Sequence, residues 1–518
     1  MMSKRNVAAG VPINVLINKK RVVVVGGGLA GLSGAIRLAR RGFDVELFEK
    51  NDRLGGKMNE RVLPSALQGA SYRFGLGPSL LTMPFVLDEL FASCGEERSA
   101  HLEFVPIDPI CRYFYPDGSI LNASADLAQM KAEIERFSSK EEAERYEQFL
   151  DYTRRIYDLT AEIFLFTPFQ EVRKLLKRKF LPALLRLPQI DALRSVHAST
   201  EAAFTDKRLV QMFDRYATYN GSNPFIAPAT LNVIPWVEYG IGGYYVRGGM
   251  YRIVEKLHEL ALSHGVRVHL NADVERILHD GTHVRGVCVD GATVHADYVL
   301  CNGDVVESFN TLIEGFDRTR RRLNRLEPSV SGMVFLWGVK GVFPQLAHHN
   351  IVFSSDYERE FYQIFNERRA PSEPTIYVSI SSKTDADHAP PGAENWFVLL
   401  NMPYLDGQHW EQVVNQMRYA VLKGLHAVGI DVEARIEVES VVTPEEFYRL
   451  YRSNKGSIYG ISSNTKTAAF LRPANRSRQL RGLYFAGGSA HPGGGVPLVL
   501  LSGKMAAELI LEDSGCKT

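Results

Sequence analysis

An α/β fold is predicted for this chain, and three observations predict it. A β-branched run, Arg21-Val22-Val23-Val24-Val25, enters a glycine-rich turn that opens an amphipathic segment over 32–40. A second such passage, Gly482-Leu483-Tyr484-Phe485-Ala486-Gly487-Gly488, precedes a helical stretch from Leu498 onward. Between them the pattern is helical first and then rich in short strands. At 518 residues the chain is too long for one simple core, so two or three domains are expected.

Composition narrows the function classes. With 45% hydrophobic and 23% charged residues, the chain has a globular rather than a disordered balance. A net charge of +1 gives no general attraction to nucleic acid, and none is expected as a partner. Cys94, Cys111, Cys288, Cys301 and Cys516 make no C-x-x-C pair. Buried thiols in a reducing compartment are therefore expected, not a redox dithiol or a zinc knuckle. The first 20 residues lack the apolar core of a signal peptide. No uncharged apolar run reaches the ~18 residues that suggest a membrane span, so a cytoplasmic location is expected.

The first strand ends in Gly26-Gly27-Gly28-Leu29-Ala30-Gly31, a G-x-G-x-x-G. Gly26 suits the tight turn, Gly28 the approach of a pyrophosphate, and Gly31 close packing of helix on strand. The helix start offers oriented N–H groups to phosphates. Residues 44–49 read as a second strand ending in Glu49, 23 residues after Gly26, where an acid accepts hydrogen bonds from a ribose and repels a 2′-phosphate. This is a Rossmann-like dinucleotide site. Lys50 and then Arg53-Leu54-Gly55-Gly56-Lys57 extend it, and paired glycines let another backbone segment pass close.

The extended pattern resembles the motif of the flavoprotein superfamily that contains amine oxidases and carotenoid desaturases, which implies FAD rather than NAD. Cofactor contacts are then implied for Gly26, Gly28, Gly31, Glu49, Lys50, Arg53, Gly55, Gly56, Lys57, Gly487, Gly488 and Val496, with Val274 at the adenine. The helix expected from Leu498 onward would, with its start aimed at the flavin, stabilise negative charge on the reduced ring. No second G-x-G-x-x-G follows a strand, so the electron acceptor is expected to be oxygen or a quinone.

Residues 131–220 read as mostly helical, with 133–157 charged and carrying apolar residues at three- and four-residue spacing. Within them Phe164-Leu165-Phe166-Thr167-Pro168-Phe169 precedes six basic residues between Arg173 and Arg186, interleaved with Leu and Phe. That is the pattern of a helix lying in a membrane interface, and equally of a solvated basic face on a core helix. Short strands are expected over 266–270, 273–277, 284–289 and 293–295, the last two joined at Asp290-Gly291. The expected organisation is a discontinuous FAD domain (17–100, 246–306 and 478–518) with an inserted mixed α+β substrate domain (101–245 and 307–477) and a helical, membrane-associating part.

Along almost its full length the chain resembles the bacterial-type phytoene desaturase family. The resemblance rests on Tyr72-Arg73-Phe74-Gly75-Leu76-Gly77-Pro78-Ser79, Gly221-Ser222-Asn223-Pro224, Tyr245-Val246-Arg247-Gly248-Gly249-Met250, Lys455-Gly456-Ser457-Ile458-Tyr459-Gly460 and His491-Pro492-Gly493-Gly494-Gly495-Val496-Pro497. Gly75 departs from it, standing where the family usually has Asp. Ala227-Pro228-Ala229-Thr230-Leu231-Asn232 and the segment after Pro497 look more like the branch acting at C-3,4 of 1-hydroxylated linear carotenoids.

The resemblance implies desaturation of a hydrophobic carotenoid by hydride transfer from an allylic carbon to flavin, at a membrane surface contacted peripherally. Glu238 and His491 are candidate bases for the accompanying proton. Tyr216, Trp236, Tyr239, Tyr244 and Tyr245 suit either an apolar tunnel or core packing. His348 and His349 are adjacent rather than at i, i+4, and no metal is expected. Alternatives that stay open are a phytoene desaturase, a squalene- or sterol-directed flavoenzyme, an amine oxidase, a carotenoid isomerase and a non-catalytic prenyl-lipid-binding protein.

Overall fold

The computed structural model describes residues 19–168, 171, 187–465 and 472–516. The basic amphipathic segment, 172–181, lies outside the described residues.

A five-stranded parallel sheet is built from three distant stretches of chain. Strand β1 (Arg21–Val25) sits at its centre, with β2 (Asp44–Phe48) on one side and strand Tyr298–Cys301 on the other. Arg267–His269 and Leu483–Phe485 form the edges. Val22 faces both Val45 and Tyr298 in register, and Val22 through Val25 are buried. Covered on both faces, the centre of a parallel sheet favours such an unbroken apolar run.

Helix α1 (Leu29–Arg40) packs across the C-terminal helix Val496–Ser514 at closely spaced small residues. A Cβ added at Gly503 would stand 2.3 Å from the Ala30 carbonyl oxygen, and Ser33 Oγ donates to Leu500 O at 2.9 Å. The two helices thus approach more closely than larger side chains allow.

The strands expected from the sequence appear as Arg267–His269, Val274–His279, Val284–Val289 and Ala292–His295, the last three forming an antiparallel sheet. Asp290 and Gly291 have φ of 49° and 73°, as a two-residue hairpin turn requires. The helical stretch expected over 133–157 forms parts of two helices, Leu127–Phe137 and Lys140–Thr160. Ser139 separates them by capping the second, its side chain accepting from the Glu142 N–H. No apolar residue stands between Phe137 and Ala143, so the apolar period lapses at the break.

A seven-stranded mixed sheet forms the other large element. Its long central strands, Ser331–Lys340 and Ala393–Met402, pair antiparallel over their whole length, while His349–Val352 runs parallel to Cys111–Phe114. Alternation divides its faces. Met333, Phe335, Trp337, Val398 and Leu400 pack under helix Trp410–Ala427, and Val334, Phe397 and Leu399 face a large cavity.

Candidate functional site

The cavity, of about 630 Å3, begins at the glycine turn after β1 and continues to the seven-stranded sheet. Three pieces of chain converge at the turn. Gly55 N donates to Gly27 O at 2.8 Å, bringing the second glycine pair against the first. Asn302 N donates to Val25 O at 2.8 Å, and its side chain accepts from Gly31 N at 3.0 Å and donates to Ala486 O at 2.9 Å. A Cβ at Gly28 would lie 2.7 Å from Asn302 Oδ1, and one at Gly487, whose φ is +122°, 2.7 Å from Asn302 Nδ2. Asn302 was given no role from sequence. The strand ending immediately before it, beside two glycine turns, was the available signal.

Glu49 is 5% exposed and caps this turn. Its Oε2 accepts from Gly27 N at 2.8 Å, and its Oε1 from Asn51 N at 2.9 Å and Asn51 Nδ2 at 2.8 Å. Gly26, Gly28, Lys50, Gly55, Gly56, Lys57 and Val274 line the cavity beside it, and Gly487, Gly488 and Val496 line it farther along. Gly31 lies behind the wall, where a Cβ would meet the Gly26 carbonyl oxygen at 2.2 Å. Arg53 does not join the wall: its exposed side chain lies along the surface, 3.7 Å from Asp52 and 3.5 Å from the Glu60 carbonyl. The side-chain-free cradle, the buried acid and the start of α1 fit an extended dinucleotide.

Lys57, expected at the cofactor, and Arg472, which no sequence motif marks, border the cavity. Lys57 Nζ donates to the carbonyls of Ser457 at 3.0 Å and Ile458 at 2.5 Å, and burial lowers its pKa to about 8 against the opposing pull of Asp304. Arg472 donates to Gly488 O at 2.9 Å and Tyr459 O at 3.2 Å, and burial lowers its pKa to about 10. Asp304 is pushed up by burial, with Lys57 opposing.

Glu238 and His491 both line the cavity. Glu238 lies in a π-helical turn, Trp236–Gly240, which turns it inward. It is 1% exposed; Tyr216 donates to Oε1 at 2.8 Å, Tyr219 donates to Oε2, and Arg215 Nη2 lies 3.5 Å from Oε1. His491 Nε2 meets the Thr167 carbonyl at 2.9 Å, which fixes the proton on that nitrogen. Burial lowers its pKa to about 4, so the ring is neutral near pH 7.

Of the aromatic candidates, Tyr216, Tyr239 and Tyr245 are buried in cores, and none of the five borders the cavity. Tyr219, Tyr357 and Tyr377 border it instead. His349 Nδ1 meets the Tyr377 hydroxyl at 2.9 Å, and His348 Nδ1 the Thr384 hydroxyl at 2.6 Å.

Comparison with known proteins agrees with this geometry. Residues 29–511 match the family described as flavin containing amine oxidoreductase. A 1-hydroxycarotenoid 3,4-desaturase of Flavobacterium sp. (strain P99-3) is 38% identical over 493 residues, covering 95% of this chain and 99% of the relative. A 4,4'-diapolycopene oxygenase of Methylomonas sp. is 34% identical over 501 residues, covering 96% and 99%. The crystal structure of an oxidoreductase from Methanosarcina mazei shares the fold, with a TM-score of 0.61 at 17% identity over 94% of this chain and 100% of that one. This chain therefore belongs to the flavin-containing amine oxidoreductase family and is an oxidoreductase whose cofactor is FAD.

Proposed function

We propose that the protein is a desaturase of linear carotenoids, acting at C-3,4 of a 1-hydroxylated substrate. The observation that carries this reading is the continuity of one cavity from the dinucleotide cradle to an apolar wall of Val334, Ile351, Phe397 and Leu399. Near-full-length similarity to a relative named for that activity supports it.

On this reading 17–100, 246–306 and 478–518 carry FAD, and the remaining chain carries the substrate. Gly26, Gly28, Glu49, Gly55 and Gly56 would hold the nucleotide portion, with Lys57, Gly487, Gly488 and Val496 nearer the ring. When bound, FAD supplies the hydride acceptor. The protein's share is to orient an allylic C–H bond, exclude water and receive the proton that the adjacent carbon loses as C=C forms. Neutral His491 has Nδ1 available for that proton. Glu238 is already held by two phenols and a guanidinium, which makes it the weaker candidate.

Peripheral contact with a membrane belongs to the same proposal. The substrate is already in an apolar phase there, so meeting it at the bilayer avoids exposing a chain that is worth ~0.8 kcal/mol per CH2 in water. Leu193 and Ile226, 81% and 55% exposed, stand on adjoining segments linked by the Val196 N to Ala227 O hydrogen bond. No described helix is long and apolar enough to cross a membrane. Oxygen or a quinone is the proposed acceptor.

The test is a product assay with FAD-loaded protein and liposomes carrying either phytoene or a 1-hydroxylated linear carotenoid. A red-shifted product two hydrogens lighter, from the hydroxylated substrate, is expected. A coloured product from phytoene alone would assign the phytoene reaction instead. A product gaining oxygen mass would replace desaturation with oxygenation, and no product from either, with a quinone added, would overturn the reading.

A further inference from the structure

Among the polar groups on the cavity wall, one cluster is built around a buried guanidinium. Arg215, Tyr219 and Glu238 all border the cavity, among Ile234, Val237 and Ile351. The Arg215 side chain is 9% exposed and that of Glu238 1%. Nη2 of Arg215 donates to the Tyr113 hydroxyl at 2.6 Å and lies 3.5 Å from Glu238 Oε1, and Nε has no hydrogen-bond partner. The rings of Tyr113, Tyr216 and Tyr219 surround the guanidinium, with centroids 5.3, 4.4 and 5.3 Å from its carbon.

A guanidinium carries five N–H donors and cannot shed its charge, so burying it with donors unmatched is unfavourable. Glu238 balances the charge, Tyr113 accepts one bond and the Tyr219 hydroxyl lies within reach of the guanidinium, yet Nε keeps no partner, which leaves donor capacity over. Tyr219 gives its proton to Glu238 and keeps lone pairs on its oxygen. The other cations at the cavity differ: Lys57 and Lys50 donate to backbone carbonyls, Arg472 to two carbonyls and Asn220 Oδ1, and Arg452 pairs with Asp273. A pure hydrocarbon offers Arg215 nothing. A ligand hydroxyl could accept from the guanidinium and donate to Tyr219.

We propose that Arg215 and Tyr219, with Glu238 holding Arg215 in place, form a subsite for the hydroxyl-bearing end of an otherwise apolar polyene. This rests on the desaturase reading and assigns residues to its substrate preference. Glu238 is then a positioning residue. Sites that hydrogen-bond a substrate hydroxyl discriminate strongly against the analogue lacking it, because the protein groups are left unpaired.

The experiment compares kcat/KM of the FAD-loaded protein for a 1-hydroxylated linear carotenoid and for the same carotenoid without the hydroxyl. The wild type is expected to prefer the hydroxylated substrate. Arg215→Lys, which keeps the charge but loses the planar fork, should reduce that preference about tenfold, chiefly through KM. Tyr219→Phe should reduce it by severalfold, and Arg215→Met with Glu238→Gln should abolish it. An unchanged preference in any variant that retains the flavin spectrum and Tm overturns the subsite. Equal kcat/KM for both substrates in the wild type overturns it while leaving the desaturase reading intact, even should the variants fail to fold. No turnover of either substrate by the wild type overturns both.

Discussion

Glu49 Oε2 accepts the backbone N–H of Gly27 at 2.8 Å, so the acid ending β2 is tied to the glycine turn ending β1. The bond orients the carboxylate beside the cavity and holds the turn open. Glu49→Ala would leave that buried N–H unpaired, a penalty of about 1–3 kcal/mol. We expect FAD to bind roughly ten- to a hundredfold more weakly. Flavin fluorescence titration of the apoprotein measures this, and unchanged affinity would remove Glu49 from the site.

The contact between α1 and the C-terminal helix depends on the absent side chain of Gly503. Gly503→Ala would place a methyl 2.3 Å from the Ala30 carbonyl. A loss of about 1–3 kcal/mol is expected from such overpacking. Denaturant unfolding checks it, and a stability equal to wild type would mean that the helices separate freely.

Glu360 is buried, and burial raises its pKa from 4.5 to about 7 despite hydrogen bonds from Ser354 and Thr375. The native state therefore holds its proton more tightly than the unfolded chain does. The stabilisation is fully present below about pH 4.5 and is lost as pH rises through about 7. The difference is up to about 3 kcal/mol. Glu360→Gln should flatten that fall and stabilise the protein at pH 8. Chemical denaturation at pH 5 and pH 8 decides it, with identical slopes counting against the assignment.

His491 titrates in the opposite sense. Burial lowers its pKa from 6.5 to about 4, so its contribution is present above about pH 6.5 and lost as pH falls through about 4. His491→Gln should reduce the fall in stability as pH drops from about 6.5 to about 4, read by chemical denaturation across that range. If His491 also accepts the substrate proton, the variant's kcat should fall with its FAD content unchanged. Near-normal turnover in both His491→Gln and Glu238→Gln would eliminate a protein base.

Membrane docking predicts that the holoprotein sediments with liposomes. Neutralising Arg173, Lys174, Lys177 and Arg178 should release a large share of it from anionic vesicles. Unchanged sedimentation would exclude this segment from the contact.

The parallel-strand core and its glycine turn were legible because they are local. The run 22–25 must be covered on both faces, and the spacing from Gly26 to Glu49 encodes strand, turn, helix and strand in one short stretch. The hairpin at Asp290-Gly291 was legible for the same reason, since its two left-handed residues adjoin in sequence. The break at Ser139 left a smaller mark, a gap in apolar residues between Phe137 and Ala143 and a residue type that caps helices.

Tertiary structure alone decided which side chains meet one another around the cavity. Asn302 reaches Gly31 and Ala486 across hundreds of residues, Arg472 reaches Gly488 and Tyr459, and Tyr216 and Tyr219 close on Glu238. Sequence supplied the residue types at these positions, but nothing in their spacing encodes which would meet. Periodicity reports the face a side chain takes on its own element, whereas a site's electrostatics depend on which faces are brought together and how far water is excluded.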